Sequence, residues 1–218
     1  MNKLVIVLLF FAALNSNGQS KTDVLQTEKG LFLDGRVGLR IGGVTSDQST
    51  LDPGAMANFG VGYMFNKFIG IKGNFGFNSF TAASIANNSI VDRSYLVNTS
   101  LEAVLSISQI AKFSSDKFDL NLHTGLGFSS FGNPGFKKAF EMNSEFQDPY
   151  ISGNDDVANV TFGLTPTFHI NDKLSFNLDF STFIFFNQNY VVDREISNTK
   201  INETTNVSNI SLGMTYSF

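Results

Sequence analysis

Apolar and polar residues alternate with a period of two in eight separate segments, and this pattern constrains the fold more than any other feature of the sequence. In the last segment, residues 209–218 (NISLGMTYSF), every second residue from Ile210 to Phe218 is apolar, and the residues between them are small or polar. Successive side chains of a β-strand point to opposite faces, whereas the 3.6-residue period of a helix would mix the two sets. The segments therefore predict amphipathic strands of about ten residues.

The other seven segments separate apolar from polar residues in the same way. They cover residues 33–42, 57–65, 69–78, 94–107, 118–128, 159–170 and 174–181. The short links between segments lie at 66–67, 109–117 and 171–173. The long links lie at 43–54, 79–91, 131–157 and 187–205. Short and long links alternate, so the strands are predicted to run up and down with all long links at one end.

The polar face of these strands decides which way the apolar face points. It is rich in Gly, Ser, Asn and Thr, whereas the water-facing strands of a soluble protein normally carry many charges. The apolar face bears no charge over its central positions, as contact with hydrocarbon requires. The sequence therefore predicts an all-β fold, namely an eight-stranded antiparallel up-and-down transmembrane β-barrel with its apolar face outward.

Seven charged residues lie on the polar face and are assigned to the lumen. They are Asp34, Arg36, Arg40, Lys72, Glu102, Asp119 and Asp179. Counting from the short-link end places four of them, Arg36, Lys72, Glu102 and Asp179, at similar heights. An eight-stranded barrel has room for little more than its own side chains. We therefore expect a mid-lumen ion-pair network that plugs the barrel; the alternative is scattered charges that reach water inside it.

The N-terminal residues have the layout of a signal peptide. Lys3 precedes an unbroken apolar run at 4–14, and Ser16 and Gly18 supply small residues for cleavage after Gly18. The run has 11 residues, too few for the membrane anchor that is the alternative, because a spanning helix needs about 20. The predicted organisation is a signal peptide at 1–18, a polar periplasmic tether at 19–30 and a barrel at 31–218.

The amino-acid composition excludes several classes of function and of site. The chain has no cysteine, which excludes disulfides, thiolate metal sites and cysteine nucleophiles. Its net charge of −4 gives no basic footprint for nucleic acid. His123 and His169 both face the predicted lumen, away from the outer rim and the lipid-facing wall where barrel enzymes place a catalytic histidine. No nucleophile elbow, phosphate loop or metal-spacing cluster is present. We therefore predict no catalytic residue, no cofactor and no metal.

Three further expectations concern individual residues. The glycine pairs Gly60/Gly62 and Gly125/Gly127 lie inside strands, where they make room in the lumen. Phe183 and Phe185 approach the long-link end and can cap the lumen. Pro166 lacks the N–H that a ladder bond needs, so we expect a local bulge there.

These features together resemble the small outer-membrane barrels of Gram-negative bacteria, of the OmpA-transmembrane-domain and OmpX type. The resemblance covers 31–218 and rests on the signal peptide, the eight strands, the alternating links and the terminal Phe218. The phrases YMFNKF and HINDKLSF look like versions from the Bacteroidota. The resemblance implies an outer-membrane monomer in contact with lipid and lipopolysaccharide. It also implies that the assembly machinery reads the last strand through Ile210, Leu212, Met214, Tyr216 and Phe218.

The function expected from this resemblance is structural or interactive rather than catalytic. The barrel would support envelope integrity or contact an extracellular partner through its four long loops. Three alternatives stay open at this point: a narrow solute or ion pore, a lipid-modifying barrel enzyme, and a soluble exported lipocalin-like barrel that binds an apolar ligand.

Overall fold

The computed structural model describes residues 29–40, 54–82, 92–132, 154–188 and 203–218. Within these ranges the chain forms eight β-strands and one short helix, α1 (Ile107–Ile110). The strands are β1 (Gly30–Arg40), β2 (Gly54–Met64), β3 (Ile69–Ala82), β4 (Asp92–Ser106), β5 (Phe118–Gly132), β6 (Asn154–His169), β7 (Leu174–Gln188) and β8 (Glu203–Ser217). The predicted signal peptide and nearly all of the predicted tether lie outside the described residues, and the tether's last residue, Gly30, belongs to β1.

The strands close into a single barrel in sequence order. Each strand pairs antiparallel with the next, and β1 pairs with β8 from Phe32 opposite Ser217 to Arg40 opposite Asn209. Closure leaves no strand with unpaired backbone groups along an edge. The predicted eight-stranded antiparallel up-and-down barrel is confirmed.

The distribution of side chains is the reverse of that in a soluble protein. Val37, Leu126 and Phe128 are 67%, 71% and 73% exposed on the outside, whereas charged side chains such as Lys72 and Glu102 are buried inside. A continuous apolar exterior of this kind is stable only against lipid. The predicted outward apolar face is therefore confirmed. Within the described ranges, no helix is long and apolar enough to cross a membrane.

Six of the strands are longer than the sequence pattern predicted. β1 and β2 have 11 residues each, but β3 to β8 have 14 to 16, and the additional residues lie at the long-link end. About ten tilted residues suffice to cross the hydrocarbon core. Backbone pairing continues past that length because ladder hydrogen bonds do not need an apolar face, so β3 and β5 to β8 extend into stretches that the sequence assigned to long links.

The short links form compact turns. In the first, the Asn66 Oδ1 atom accepts hydrogen bonds from the backbone N–H groups of Phe68 (2.8 Å) and Ile69 (3.1 Å). In the third, the Asn171 Oδ1 atom accepts from Lys173 (3.0 Å) and Leu174 (2.9 Å) in the same way. The second link contains α1, a single turn of helix that packs beside β5.

Pro166 does not produce the expected bulge. Leu164 still pairs with Phe180 and Thr167 with Asn177, so the register between β6 and β7 is the same on both sides of the proline. The ladder between these strands skips only Thr165 and Pro166, while pairing with β5 continues through Pro166. The missing N–H therefore interrupts the ladder locally without inserting a residue.

Candidate functional site in the barrel lumen

A network of ion pairs crosses the middle of the lumen. The Lys72 Nζ atom of β3 lies 3.0 Å from Glu102 Oε2 of β4 and 3.9 Å from Asp34 Oδ2 of β1. The Arg36 Nη1 atom of β1 lies 2.6 Å from Asp179 Oδ1 of β7, and its Nη2 atom pairs with Asp34. These five side chains are at most 5% exposed. The structure thus brings together five of the seven charged residues that the sequence assigned to the lumen.

His123 of β5 is a sixth member that the sequence did not assign to the network. Its Nε2 atom is within hydrogen-bonding distance of Asp179 Oδ1 (2.8 Å), and its Nδ1 atom makes an ion-pair contact of 2.9 Å with Glu102 Oε2. The ring therefore bridges two acidic members of the network, one from β4 and one from β7.

Neutral hydroxyl groups donate to the two carboxylates that contact His123. The Thr165 Oγ1 atom donates to Asp179 Oδ1 at 2.7 Å, and the Ser100 Oγ atom donates to Glu102 Oε1 at 2.5 Å. Buried charges need such partners because removal from water costs several kcal/mol for each ion. The six side chains of the network come from five strands, and Thr165 of β6 adds a contact from a sixth.

The other two predicted members lie elsewhere in the lumen. Arg40 is fully buried four residues beyond Arg36 along β1, toward the long-link end. Asp119 lies toward the short-link end, where its Oδ2 atom is 3.0 Å from His169 Nε2. Arg40 and Asp119 therefore lie at other positions along the lumen than the five residues above, and their membership of one network stays a prediction.

Glycines in the barrel wall make room for the network. A Cβ atom at Gly163 would overlap the His123 ring, and one at Gly213 would lie 2.5 Å from Arg36 Cγ. At Gly125 it would lie 2.8 Å from Glu102 Cγ. Ordinary carbon contacts are about 3.5–4.0 Å, so each of these positions admits only glycine without movement of the network. The predicted role of the glycine pairs as space in the lumen agrees with this geometry.

An apolar cluster fills the lumen at the long-link end. Its members are buried inside the barrel: Leu96, Phe131, Val157, Phe183, Phe185 and Val207. The rings of Phe131 and Phe185 meet edge to face with centroids 5.0 Å apart, and Phe183 stacks on Phe185 at 6.3 Å. We call this set the aromatic cap. Phe183 and Phe185 therefore lie where the sequence suggested that they could close the lumen.

A cavity of about 100 Å³ lies on the other side of the network, toward the short-link end. His169, Asp119 and Ser175 line it, and the His169 Nδ1 atom is 2.8 Å from Ser175 Oγ. The contacts Ser–His–Asp resemble those of a hydrolase, but the two nitrogens of His169 have exchanged partners, because a catalytic aspartate contacts Nδ1 and the serine contacts Nε2.

The Asp119 Oδ1 atom also accepts a hydrogen bond from Ser108 Oγ of α1 at 2.8 Å. We interpret this chain as a latch that ties α1 to the barrel rim.

The residues that the structure describes contain no group of three His, Cys, Asp or Glu side chains placed to hold a metal ion. Several polar side chains of the lumen form hydrogen bonds with one another. Between the network and the aromatic cap, for example, the Asn159 Nδ2 atom donates to Ser129 Oγ at 2.7 Å.

A closed eight-stranded barrel with an apolar exterior and a filled polar interior defines the class of small transmembrane β-barrels. The chain belongs to the family described as outer membrane protein beta-barrel domain, whose model matches residues 4–218. It is therefore an outer-membrane protein, and the resemblance drawn from the sequence is confirmed for this class. An origin in the Bacteroidota stays a prediction.

Solved structures of outer-membrane proteins share the fold. Ail of Yersinia pestis, in complex with the heparin analogue sucrose octasulfate, matches with a TM-score of 0.50 and 16% identity over 88% of this chain and 100% of that one. OprG of Pseudomonas aeruginosa matches with a TM-score of 0.52 and 12% identity over 90% of this chain and 99% of that one. A major outer membrane protein of Thermus thermophilus matches with a TM-score of 0.54 and 11% identity over 87% of this chain and 99% of that one. These identities establish the fold alone, and no curated protein matches the sequence.

Proposed function

We propose that this protein is a non-enzymatic outer-membrane barrel with a plugged lumen, which contributes to envelope integrity or to surface contact through its four long loops. The observation that carries the proposal is the six-membered network of Asp34, Arg36, Lys72, Glu102, His123 and Asp179, whose contacts reach across the barrel from five strands. The aromatic cap supports it as a second obstruction at a different depth. The long loops lie outside the described residues.

Conductance distinguishes the proposed barrel, whose lumen is filled by side chains, from the alternative of a narrow solute or ion pore. In planar-bilayer recordings of the purified, heat-modifiable protein, we expect no stable unitary currents, because an ion would have to displace both the network and the aromatic cap. A triple variant, Lys72→Ala with Phe183→Ala and Phe185→Ala, provides the matched control, since it removes bulk from both layers and should conduct. Stable unitary currents from the unmodified protein would favour the pore instead.

The enzymatic and soluble alternatives have less support. Both ring nitrogens of His123 contact carboxylates and its side chain is 4% exposed, so neither nitrogen is directed at a substrate. An unchanged mass of lipid A on expression of the protein agrees with a non-catalytic role. A change in mass that His123→Ala abolishes would support the alternative of a lipid-modifying enzyme.

A lipocalin-like barrel needs its apolar face inward, and the outward apolar face of this barrel makes that alternative wrong.

We further propose that the chain ends at the periplasmic side and that its last strand is the assembly signal. The members of the signal are Ile210, Leu212, Met214, Tyr216 and Phe218. Support comes from the exposure of these residues: Ile210 is half-buried, whereas the other three members in β8 and Phe218 directly after it are exposed on the lipid side. The ring of Phe218 lies 5.1 Å from that of Tyr216, and its backbone N–H donates to Leu31 at 3.0 Å.

Deletion of Phe218 tests the signal. It removes one backbone hydrogen bond, worth about 1 kcal/mol, so the variant should still refold in detergent. In cells we expect a marked loss of the heat-modifiable form from the outer membrane, measured by gel shift after fractionation. Phe218→Tyr, which keeps the ring, is the control and should assemble normally. Equal assembly of the deletion variant and the unmodified protein would contradict the proposal.

The remaining parts of the proposal concern export and partners. We propose cleavage after about Gly18, a monomeric barrel, and contact with lipopolysaccharide on the outer side. The chemistry of residues 1–18 and the membrane-spanning exterior support these statements. Mass spectrometry of the purified N-terminus checks the cleavage site directly.

A further inference from the structure

The short-link end of the barrel carries an excess of positive charge. Lys29, Lys67, Lys112, Lys117 and Lys173 lie in or beside the turns at this end, and all but the half-buried Lys67 are exposed. The acidic side chains there are Asp116, Asp172 and the buried Asp119, which is paired with His169. In the described part of the chain, none of these lysines forms an ion pair. The ammonium groups are therefore available to a ligand.

Each turn also exposes large apolar side chains beside its lysine. Phe65 and Phe68 are 48% and 39% exposed next to Lys67, and the Lys67 Nζ atom lies 5.2 Å from the centroid of the Phe68 ring. The second turn exposes Ile110 and Phe113 around Lys112, and the third exposes Ile170 near Lys173. Exposed apolar groups next to cations are the composition of a membrane interface, where rings contact acyl chains and lysine stems extend to the headgroups.

The turns hold these lysines in defined positions. The side chains of Asn66 and Asn171 each accept two backbone hydrogen bonds and so fix the first and third turns. The latch of Ser108, Asp119 and His169 ties the second link to the lumen. The basic rim is thus part of the rigid barrel.

We propose that this rim, formed by Lys67, Lys112, Lys117 and Lys173 together with the exposed apolar residues of the three turns, binds the phosphate groups of anionic phospholipids in the periplasmic leaflet. The inference rests on the proposed orientation, in which the short turns face the periplasm. Basic residues beside a membrane surface attract anionic headgroups over about one Debye length, and the attraction falls with added salt. The apolar residues fix the depth at which the ammonium groups meet the phosphates.

The test compares spin-labelled phosphatidylglycerol with spin-labelled phosphatidylcholine as probes of the full chain in nanodiscs of phosphatidylcholine. Electron paramagnetic resonance gives the fraction of each probe that the barrel immobilises. We expect the association constant of the phosphatidylglycerol probe to exceed that of the phosphatidylcholine probe by about twofold to fivefold at low salt. The ratio should fall to about 1 in the variant K67Q/K112Q/K117Q/K173Q and at high salt.

A matched control neutralises three basic residues of the predicted outer loops, K137Q/K138Q/R194Q, and should keep most of the preference. Heat modifiability on gels shows that every variant is folded. Equal immobilisation of the two probes by the unmodified protein, or an unchanged ratio in the lysine variant, overturns the rim proposal while the barrel stands. If the protein were not a membrane barrel, neither probe would be immobilised, and this result distinguishes failure of the membrane-barrel proposal from failure of the rim proposal.

Discussion

Replacement of Arg36 by alanine should lower the free energy of unfolding by about 3–5 kcal/mol. The guanidinium contacts Asp34 and Asp179, and both carboxylates are buried inside the lumen. Its removal leaves three buried carboxylates facing only Lys72 and His123. An uncompensated buried charge is much more costly than the loss of an exposed ion pair, which is worth about 1 kcal/mol or less.

The unfolding of the protein in lipid vesicles by urea, followed by the gel shift of the folded form, measures this loss. Asp156→Asn is the control, since this exposed side chain lies outside the network and the basic rim and should change stability by no more than about 0.5 kcal/mol. A double variant, Arg36→Ala with Asp179→Asn, should lose less than the sum of the single variants, because it removes the charge and its partner together. Equal stability of Arg36→Ala and the unmodified protein would mean that the lumen charges are scattered in water.

Replacement of Gly163 by alanine should lower the free energy of unfolding by about 2–4 kcal/mol. The added methyl group would overlap the His123 ring, which is fixed between Glu102 and Asp179. The ring must move away from the wall, and the movement breaks its contact with one or both carboxylates. This variant tests the tight fit between wall and network without removing any charged group.

Gly35→Ala is the matched control for Gly163→Ala. Gly35 also lies within a strand, but it faces lipid, and a Cβ atom there has no neighbour within 4 Å. Because glycine destabilises a strand by about 0.5–1 kcal/mol relative to alanine, Gly35→Ala should leave stability unchanged or raise it slightly. Equal losses in both variants would show that backbone effects, rather than contact with His123, explain the result.

The sequence predicted the number and order of the strands, but it did not predict well where they end or how they pair. The apolar alternation of β6 and β8 covers only part of each strand, because paired backbone outside the bilayer needs no apolar side chains. Pro166 suggested a bulge, yet the barrel keeps its register by leaving two residues of one ladder unpaired. Such outcomes depend on the neighbouring strands, which hold β6 from both sides and which no local pattern specifies.

The membership of the lumen network depended in the same way on contacts between strands. Counting along each strand placed Arg36, Lys72, Glu102 and Asp179 at similar heights, and all four do belong to one network. The same procedure placed His123 in the lumen but did not predict that it belongs to the network. Its ring contacts Glu102 and Asp179 from two other strands, and no local pattern in the sequence indicates such a contact.

The sequence by itself determined the barrel, the order of its strands and the direction of every strand face. A period of two and alternating link lengths are local properties, and contact with lipid reverses the usual choice of which face is buried. Only the tertiary structure decided which lumen side chains meet. The stagger between strands sets their depths, and glycines such as Gly163 and Gly213 decide which of them have room to approach.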